Sequence, residues 1–86
     1  MKYRILFTKQ AVKDMHKVAN SPLKKKVAHL LGILEDNPLQ PPYEKLVDQE
    51  NTYSRRINIQ HRLVYRIDEE QAQVVIIRTW THYGDN

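Results

Sequence analysis

Tyr53-Ser54-Arg55-Arg56-Ile57-Asn58-Ile59, Leu63-Val64-Tyr65-Arg66-Ile67-Asp68 and Gln73-Val74-Val75-Ile76-Ile77-Arg78-Thr79 are three β-type runs in quick succession near the C-terminal end of an 86-residue chain. Along the first two, apolar and polar residues alternate with the period of a half-buried strand. Asp68-Glu69-Glu70 supplies a turn between the second and third runs, so these two read as a hairpin and all three as an antiparallel meander. Parity then sorts the side chains. Leu63, Tyr65 and Ile67 face one way, together with Ile57 and Ile59, which leaves Ser54, Arg56, Asn58, Arg62, Val64 and Arg66 on the other face. For the two apolar sets to share a face, the connection around Gln60-His61 must hold an odd number of residues or a bulge. Arg56 and Arg62 are then expected on one helix-free face.

Working toward the N-terminus, Asp48 to Thr52 is polar and turn-like, and Pro41-Pro42 holds a connector extended ahead of Tyr43-Glu44-Lys45-Leu46. Before it lie two helical patterns. Ala11, Met15 and Val18 recur at helical spacing up to about Ala19, with Thr8 as the cap and Lys9, Lys13 and Lys17 on another side. Asn20-Ser21-Pro22 breaks that helix and starts the next, with serine as N-cap and proline at the first helical position. Leu23, Val27, Leu30, Leu31 and Leu34 form the second stripe, which Asn37-Pro38 ends. Tyr3 to Phe7 alternates as a short first strand. The expectation is an α+β fold with residues 1–86 as one domain. In it, two antiparallel helices pack on one face of a mainly antiparallel four-stranded sheet.

Charge is divided unevenly along this order. Met1 to Leu34 holds eight basic residues (Lys2, Arg4, Lys9, Lys13, Lys17, Lys24, Lys25, Lys26) against Asp14 alone, whereas Glu35 to Asn86 holds six basic and nine acidic residues. A basic first third fits either a polyanionic partner or a pair of lysine-rich solvated helices. The chain has no cysteine, so no disulfide framework and no thiolate metal site. Its apolar N-terminal run is too short for a signal segment, and no stretch approaches the ~20 apolar residues of a membrane span. A cytoplasmic domain without a membrane partner is expected. A domain this small buries only about 60–65% of its unfolded surface, so a second copy would add to its stability.

Arginines on an open sheet face serve either as a phosphate clamp, through the planar donor fork of guanidinium, or as ordinary solvent-facing charge. Glu44 before the meander and His82-Tyr83 after it tilt the reading toward chemistry. A carboxylate and an imidazole straddling arginines match the needs of metal-free RNA cleavage. One group takes the proton of a ribose 2′-hydroxyl, another protonates the leaving 5′-oxygen, and cations hold the phosphorane between them. His16, His29 and His61 make no metal spacing with carboxylates, so neither a metal nor another cofactor is expected.

The string Tyr53-Ser54-Arg55-Arg56-Ile57 followed by His61-Arg62-Leu63-Val64-Tyr65 resembles the "WSRRI…HRLVY" core of the YoeB/Txe toxins, a branch of the RelE/ParE superfamily of bacterial toxin–antitoxin modules. Glu44-Lys45-Leu46 resembles that family's "PEPL" segment and His82-Tyr83 its terminal "HY", so the resemblance runs over essentially the whole chain. It implies the RelE-like fold and ribosome-dependent cleavage of messenger RNA in the A site. By the same resemblance Glu44 is the general base, His82 the general acid and Arg62 the principal phosphate and transition-state contact. Tyr83 shapes the site, and Arg56 and Arg55 supply supporting phosphate contacts. Lys9, Lys13, Lys17, Lys24, Lys25 and Lys26 would then meet ribosomal RNA. The implied partners are the 70S ribosome with its messenger, a YefM/Axe-like antitoxin and a second copy of the chain. Tyr53 stands where the family has tryptophan, Val47 where it often has lysine, and Gly84-Asp85-Asn86 follows the His-Tyr pair. A ParE-like inhibitor of gyrase and a non-catalytic RNA-binding protein are the rival readings of the same residues.

Overall fold

In the computed structural model, which describes residues 2–80, the N-terminal alternation forms β1 (Arg4–Phe7), followed by α1 (Lys9–Ala19) and α2 (Lys24–Asp36). Thr8 is extended, and its hydroxyl accepts from the Ala11 amide at 3.1 Å, satisfying one of the free donors of the first turn of α1. The restart differs in detail from the expected Ser21 cap. Ser21 Oγ accepts from Leu23 N at 3.1 Å and donates to the Val18 carbonyl at 2.8 Å. It therefore closes a turn, and α2 begins only at Lys24, after Leu23. Asn37, in extended conformation ahead of Pro38, ends α2 as anticipated.

The meander comprises β3 (Thr52–Arg56), β4 (Arg62–Asp68) and β5 (Gln73–Arg78). A short strand not foreseen, β2 (Glu44–Lys45), adds to it, so the sheet has five strands in the order β1-β5-β4-β3-β2. Only β1 and β5 run parallel. The expected α+β architecture of two helices on a mostly antiparallel sheet therefore holds, enlarged by one edge strand. Val27, Leu30 and Leu34 of α2 and Ala11 and Val18 of α1 share one buried cluster with Leu63, Tyr65, Ile67, Val74 and Ile76. These sheet residues alternate along their strands, as a single core-facing side requires.

The β3–β4 connection spans residues 57–61, an odd number, and Arg56 lies directly opposite Arg62 across the two strands. One part of the parity reading is corrected. Ile57 is buried, but Ile59 is 91% exposed and belongs to a loop. Asn58 is the cause: its Oδ1 accepts from Gln60 N at 2.9 Å and His61 N at 2.7 Å, while the Ile57 and Asn58 amides both donate to the His61 carbonyl. This side-chain turn takes the place of ladder pairing three residues before the expected end of the strand.

Asp14 is fully buried on α1, although charge alone marks it as a surface residue. Burial pushes its carboxyl up, but hydrogen bonds from the Arg78 guanidinium, the Thr79 amide and the Gln10 side chain outweigh that and hold it below the usual carboxylate value. Because the folded-state value lies below the unfolded one, about 3.9, this stabilisation is complete above the unfolded value. It is lost as pH falls through the folded value. Melting curves between pH 7 and pH 2 are expected to show a steeper acid decline for the intact chain than for Asp14→Asn. Parallel declines would remove Asp14 from the acid sensitivity.

Candidate functional site

Strand register brings the site together. Glu44 of β2 pairs with Ser54 of β3, which pairs with Val64 of β4, and two residues further along β3 Arg56 pairs with Arg62. Residues opposite one another share a face, so Glu44, Ser54, Arg56 and Arg62 stand on the same side of the sheet. Arg62 uses both ends of its fork there: Nε donates to Ser54 Oγ at 3.1 Å, and Nη2 is ion-paired with Glu44 Oε1. The Arg62 side chain lies low over Ser54 with 21% exposure, while the Glu44 side chain is 70% exposed. An anchored guanidinium next to a solvent-reachable carboxylate leaves Glu44 free to exchange partners when an anion arrives. Arg56, itself exposed, brings a second guanidinium opposite the first. Like charges at that spacing repel, and the Glu44 carboxylate offsets the repulsion.

These residues line a cleft of about 450 Å³, and it is not helix-free as the parity reading has it. Lys26, His29, Leu30 and Ile33 of α2 line it too, with Pro42 and Tyr43 beside Glu44. The i, i+3 spacing of Lys26 and His29, which puts both on one side of α2, is a trace of this in the sequence. Of the six lysines expected to meet RNA, Lys9, Lys13, Lys17, Lys24 and Lys25 are exposed on α1 and α2, and Lys26 is exposed at the cleft itself. His82 and Tyr83 lie outside the described residues.

Arg55 borders the same cleft as Arg56 and Arg62 but is held differently, with its guanidinium committed to internal partners. It pairs with Leu63 and so points to the core side of the sheet, where it is 2% exposed. Its three nitrogens are all engaged: Nε with Tyr65 Oη at 3.1 Å, Nη1 with the Pro42 carbonyl and Nη2 with the Pro38 carbonyl, each at 2.9 Å. Tyr65 Oη donates in turn to the Pro38 carbonyl at 3.1 Å. Burial pushes the Tyr65 phenol up, against the lowering effect of Arg55, so the group stays a neutral donor. The Arg55 guanidinium also lies 5.8 Å from the Tyr43 ring centre and 5.7 Å from that of Tyr65, within cation–π range. Arg55 thus ties the proline connector, whose Pro41–Pro42 peptide is cis, to β3, and so sets where Glu44 enters the sheet. A stacked Tyr53–Tyr65 pair and an edge-on Tyr43–Tyr53 pair complete this support at 5.9 and 5.5 Å.

Known proteins share both the sequence pattern and the fold of this chain. A model of the YoeB-like toxins of bacterial type II toxin–antitoxin systems matches residues 7–83. Toxin RelG of Mycobacterium tuberculosis (strain ATCC 25618 / H37Rv) is 36% identical over 78 residues, which cover 91% of this chain and 88% of that protein. Among solved structures, the YoeB dimer from Staphylococcus aureus is 31% identical with a TM-score of 0.82, covering 96% of this chain and 100% of the other. The heterotetrameric YoeB–YefM toxin–antitoxin complex from the same organism has the same identity and coverage with a TM-score of 0.78. The match extends over the arginine-bearing strands, Glu44 and the His82-Tyr83 pair, and the chain belongs to the YoeB-like toxins of bacterial type II toxin–antitoxin systems.

Proposed function

We propose that this toxin is a ribosome-dependent endoribonuclease that cuts messenger RNA in the A site by metal-independent general acid–base attack of the ribose 2′-hydroxyl. The observation that carries the reading is the ion pair of Glu44 with Arg62 beside Arg56 in one cleft. In this scheme the scissile phosphate displaces the Glu44 carboxylate from Arg62, and both arginines hold the phosphoryl oxygens. Glu44, released but still adjacent, takes the proton of the 2′-hydroxyl as O2′ bonds to phosphorus. The bond from phosphorus to O5′ breaks, and His82 delivers a proton to that oxygen, leaving a cyclic phosphate and a free 5′-hydroxyl. Arg62 and Arg56 stabilise the charge that accumulates on the pentacoordinate phosphorus. Tyr83 orients the nucleotide.

An exposed carboxylate and two arginines on a sheet surface orient a flexible RNA poorly by themselves. The ribosome supplies the fixed substrate geometry, and orientation of this kind is worth many powers of ten in rate. The exposed lysines of α1 and α2 face the ribosomal RNA. By likeness to the Staphylococcus aureus relatives, the toxin pairs with a second copy of itself and is restrained by a YefM-like antitoxin in the cytoplasm.

Primer extension on a defined messenger, with and without programmed ribosomes, tests this against Glu44→Ala and His82→Ala. Cuts at A-site codons should require ribosomes and fall by about 10²–10⁴-fold in each variant. Growth arrest by an intact protein that makes no cut would move the reading to gyrase inhibition.

A further inference from the structure

Where the "PEPL" pattern has its first proline, this chain carries an aromatic ring, Tyr43. The ring is held from two directions. The Arg55 guanidinium lies over it, 5.8 Å from its centre, and Arg55 is itself tied to Tyr65 and to the Pro38 and Pro42 carbonyls. Tyr53 meets it edge-on, with the ring planes 84° apart. Yet Tyr43 keeps 38% of its surface open and lines the cleft beside Glu44, whereas Tyr65 in the same cluster is fully buried. Bracing the connector does not call for that opening, since apolar surface left in water adds nothing to stability.

The lining of the cleft is of two kinds. Arg56 and Arg62, with Lys26 from α2, bring positive charge, while Leu30, Ile33, Pro42 and Tyr43 bring apolar surface. A nucleotide divides in the same way, into an anionic phosphate and a flat base. Single-stranded RNA is held by stacking such bases on aromatic side chains. At about 450 Å³ the cleft also has the size of an ordinary small-ligand site.

We propose that Tyr43 is a substrate-binding residue, the stacking platform for the base on the 5′ side of the cut. That nucleotide is the one whose 2′-hydroxyl gives its proton to Glu44, so the proposal rests on the nuclease reading of the cleft. Tyr43 and Glu44 are consecutive, with Cα atoms about 3.8 Å apart, and both line the cleft. On the ribose, the base is joined to the carbon next to the one that bears O2′. A base held on Tyr43 therefore sets O2′ against Glu44. A ring already fixed by Arg55 and Tyr53 loses little freedom when the base arrives. Every base has a π-face, so this contact holds the nucleotide without reading its identity.

The test crosses two forms of the protein with two messengers. Intact protein and Tyr43→Ala act on ribosomes programmed with an ordinary messenger, or with one whose ribose just 5′ of the mapped cut carries no base. Cleavage of the end-labelled messenger gives kcat/KM. Removing either the ring or the base is expected to cost about 5–100-fold, and removing both little more than removing one. Tyr43→Phe should keep the intact value, whereas Tyr43→Leu, apolar but without a π-face, should not. Two losses that simply multiply would overturn the proposal, as would an intact protein that cuts the abasic messenger at the ordinary rate. Melting curves show which variants fold. Should neither Tyr43→Ala nor Tyr43→Leu do so, the abasic messenger with the intact protein decides alone. An intact protein that cuts neither messenger defeats the nuclease reading instead. Stacking is then judged by the NMR signals of the Tyr43 ring during titration with a single-stranded oligoribonucleotide, and signals that stay in place defeat it as well.

Discussion

Arg62→Ala is expected to slow ribosome-programmed cleavage by about 10²–10³-fold, roughly 3–4 kcal/mol of transition-state stabilisation, while the fold survives. Both parts follow from where Arg62 sits. Its two partners, Ser54 Oγ and Glu44, are on the cleft side, and the Glu44 end of the ion pair is open to water. A pair of that kind adds about 0–1 kcal/mol to stability, which for a domain of this size is a few degrees of melting temperature. In the reaction the same guanidinium faces charge that builds on phosphorus, where a donor fork already anchored by Ser54 needs no reorganisation. Arg62→Lys keeps the charge but not the fork, and only part of the rate should return. Time courses of primer extension set beside melting curves check the prediction. Cleavage at the intact rate in Arg62→Ala would remove the phosphate clamp from the mechanism.

The neighbouring arginines should behave oppositely to one another. Arg55→Ala is expected to destabilise the protein by about 3 kcal/mol or more, since it empties a core position and strips donors from the buried Pro38 carbonyl and the less deeply placed Pro42 carbonyl. At this chain length that corresponds to a fall in melting temperature of roughly 10–20 °C. Arg55→Met refills the volume but still leaves those carbonyls without the guanidinium, so it should rescue only part of the loss. Arg56→Ala, on an exposed side chain, should change stability by less than about 0.5 kcal/mol and act on cleavage instead. Because Arg55 ties down the connector that bears Glu44, a folded Arg55→Ala protein should also cleave slowly. Calorimetry on the two alanine variants decides the matter. Equal melting temperatures would contradict the opposite facing of Arg55 and Arg56.

The strands and helices were legible in the sequence because their signals are local. Alternation at Leu63, Tyr65 and Ile67 reflects a two-residue period, and Val27, Leu30 and Leu34 reflect one near 3.6. The same local rule put Arg56 and Arg62 on one face, and the odd connection between them followed from it. Parity also argues that Arg55, one residue from Arg56, faces the core, but the charge of the residue argues the reverse. Where local signals conflict in this way, tertiary partners decide.

Those partners lie far off in sequence. The acceptors of Arg55 are Pro38, Pro42 and Tyr65, and those donors to Asp14 that lie outside its own helix come from Arg78, Thr79 and Trp80. Glu44 was legible as a candidate, but its meeting with Arg62 depends on a two-residue strand too short to leave a periodic signal. Ile59 was misplaced because apolar character suggests the core, whereas the Asn58 side chain turns the backbone away before Ile59 can reach it. The sequence by itself determined which elements form apart from β2, the sheet face shared by Arg56 and Arg62, and the family. Only the tertiary structure decided that Arg55 and Asp14 are internal supports and that α2 walls the cleft. A buried charge is stable only when distant groups supply its hydrogen bonds, and no local pattern records those groups.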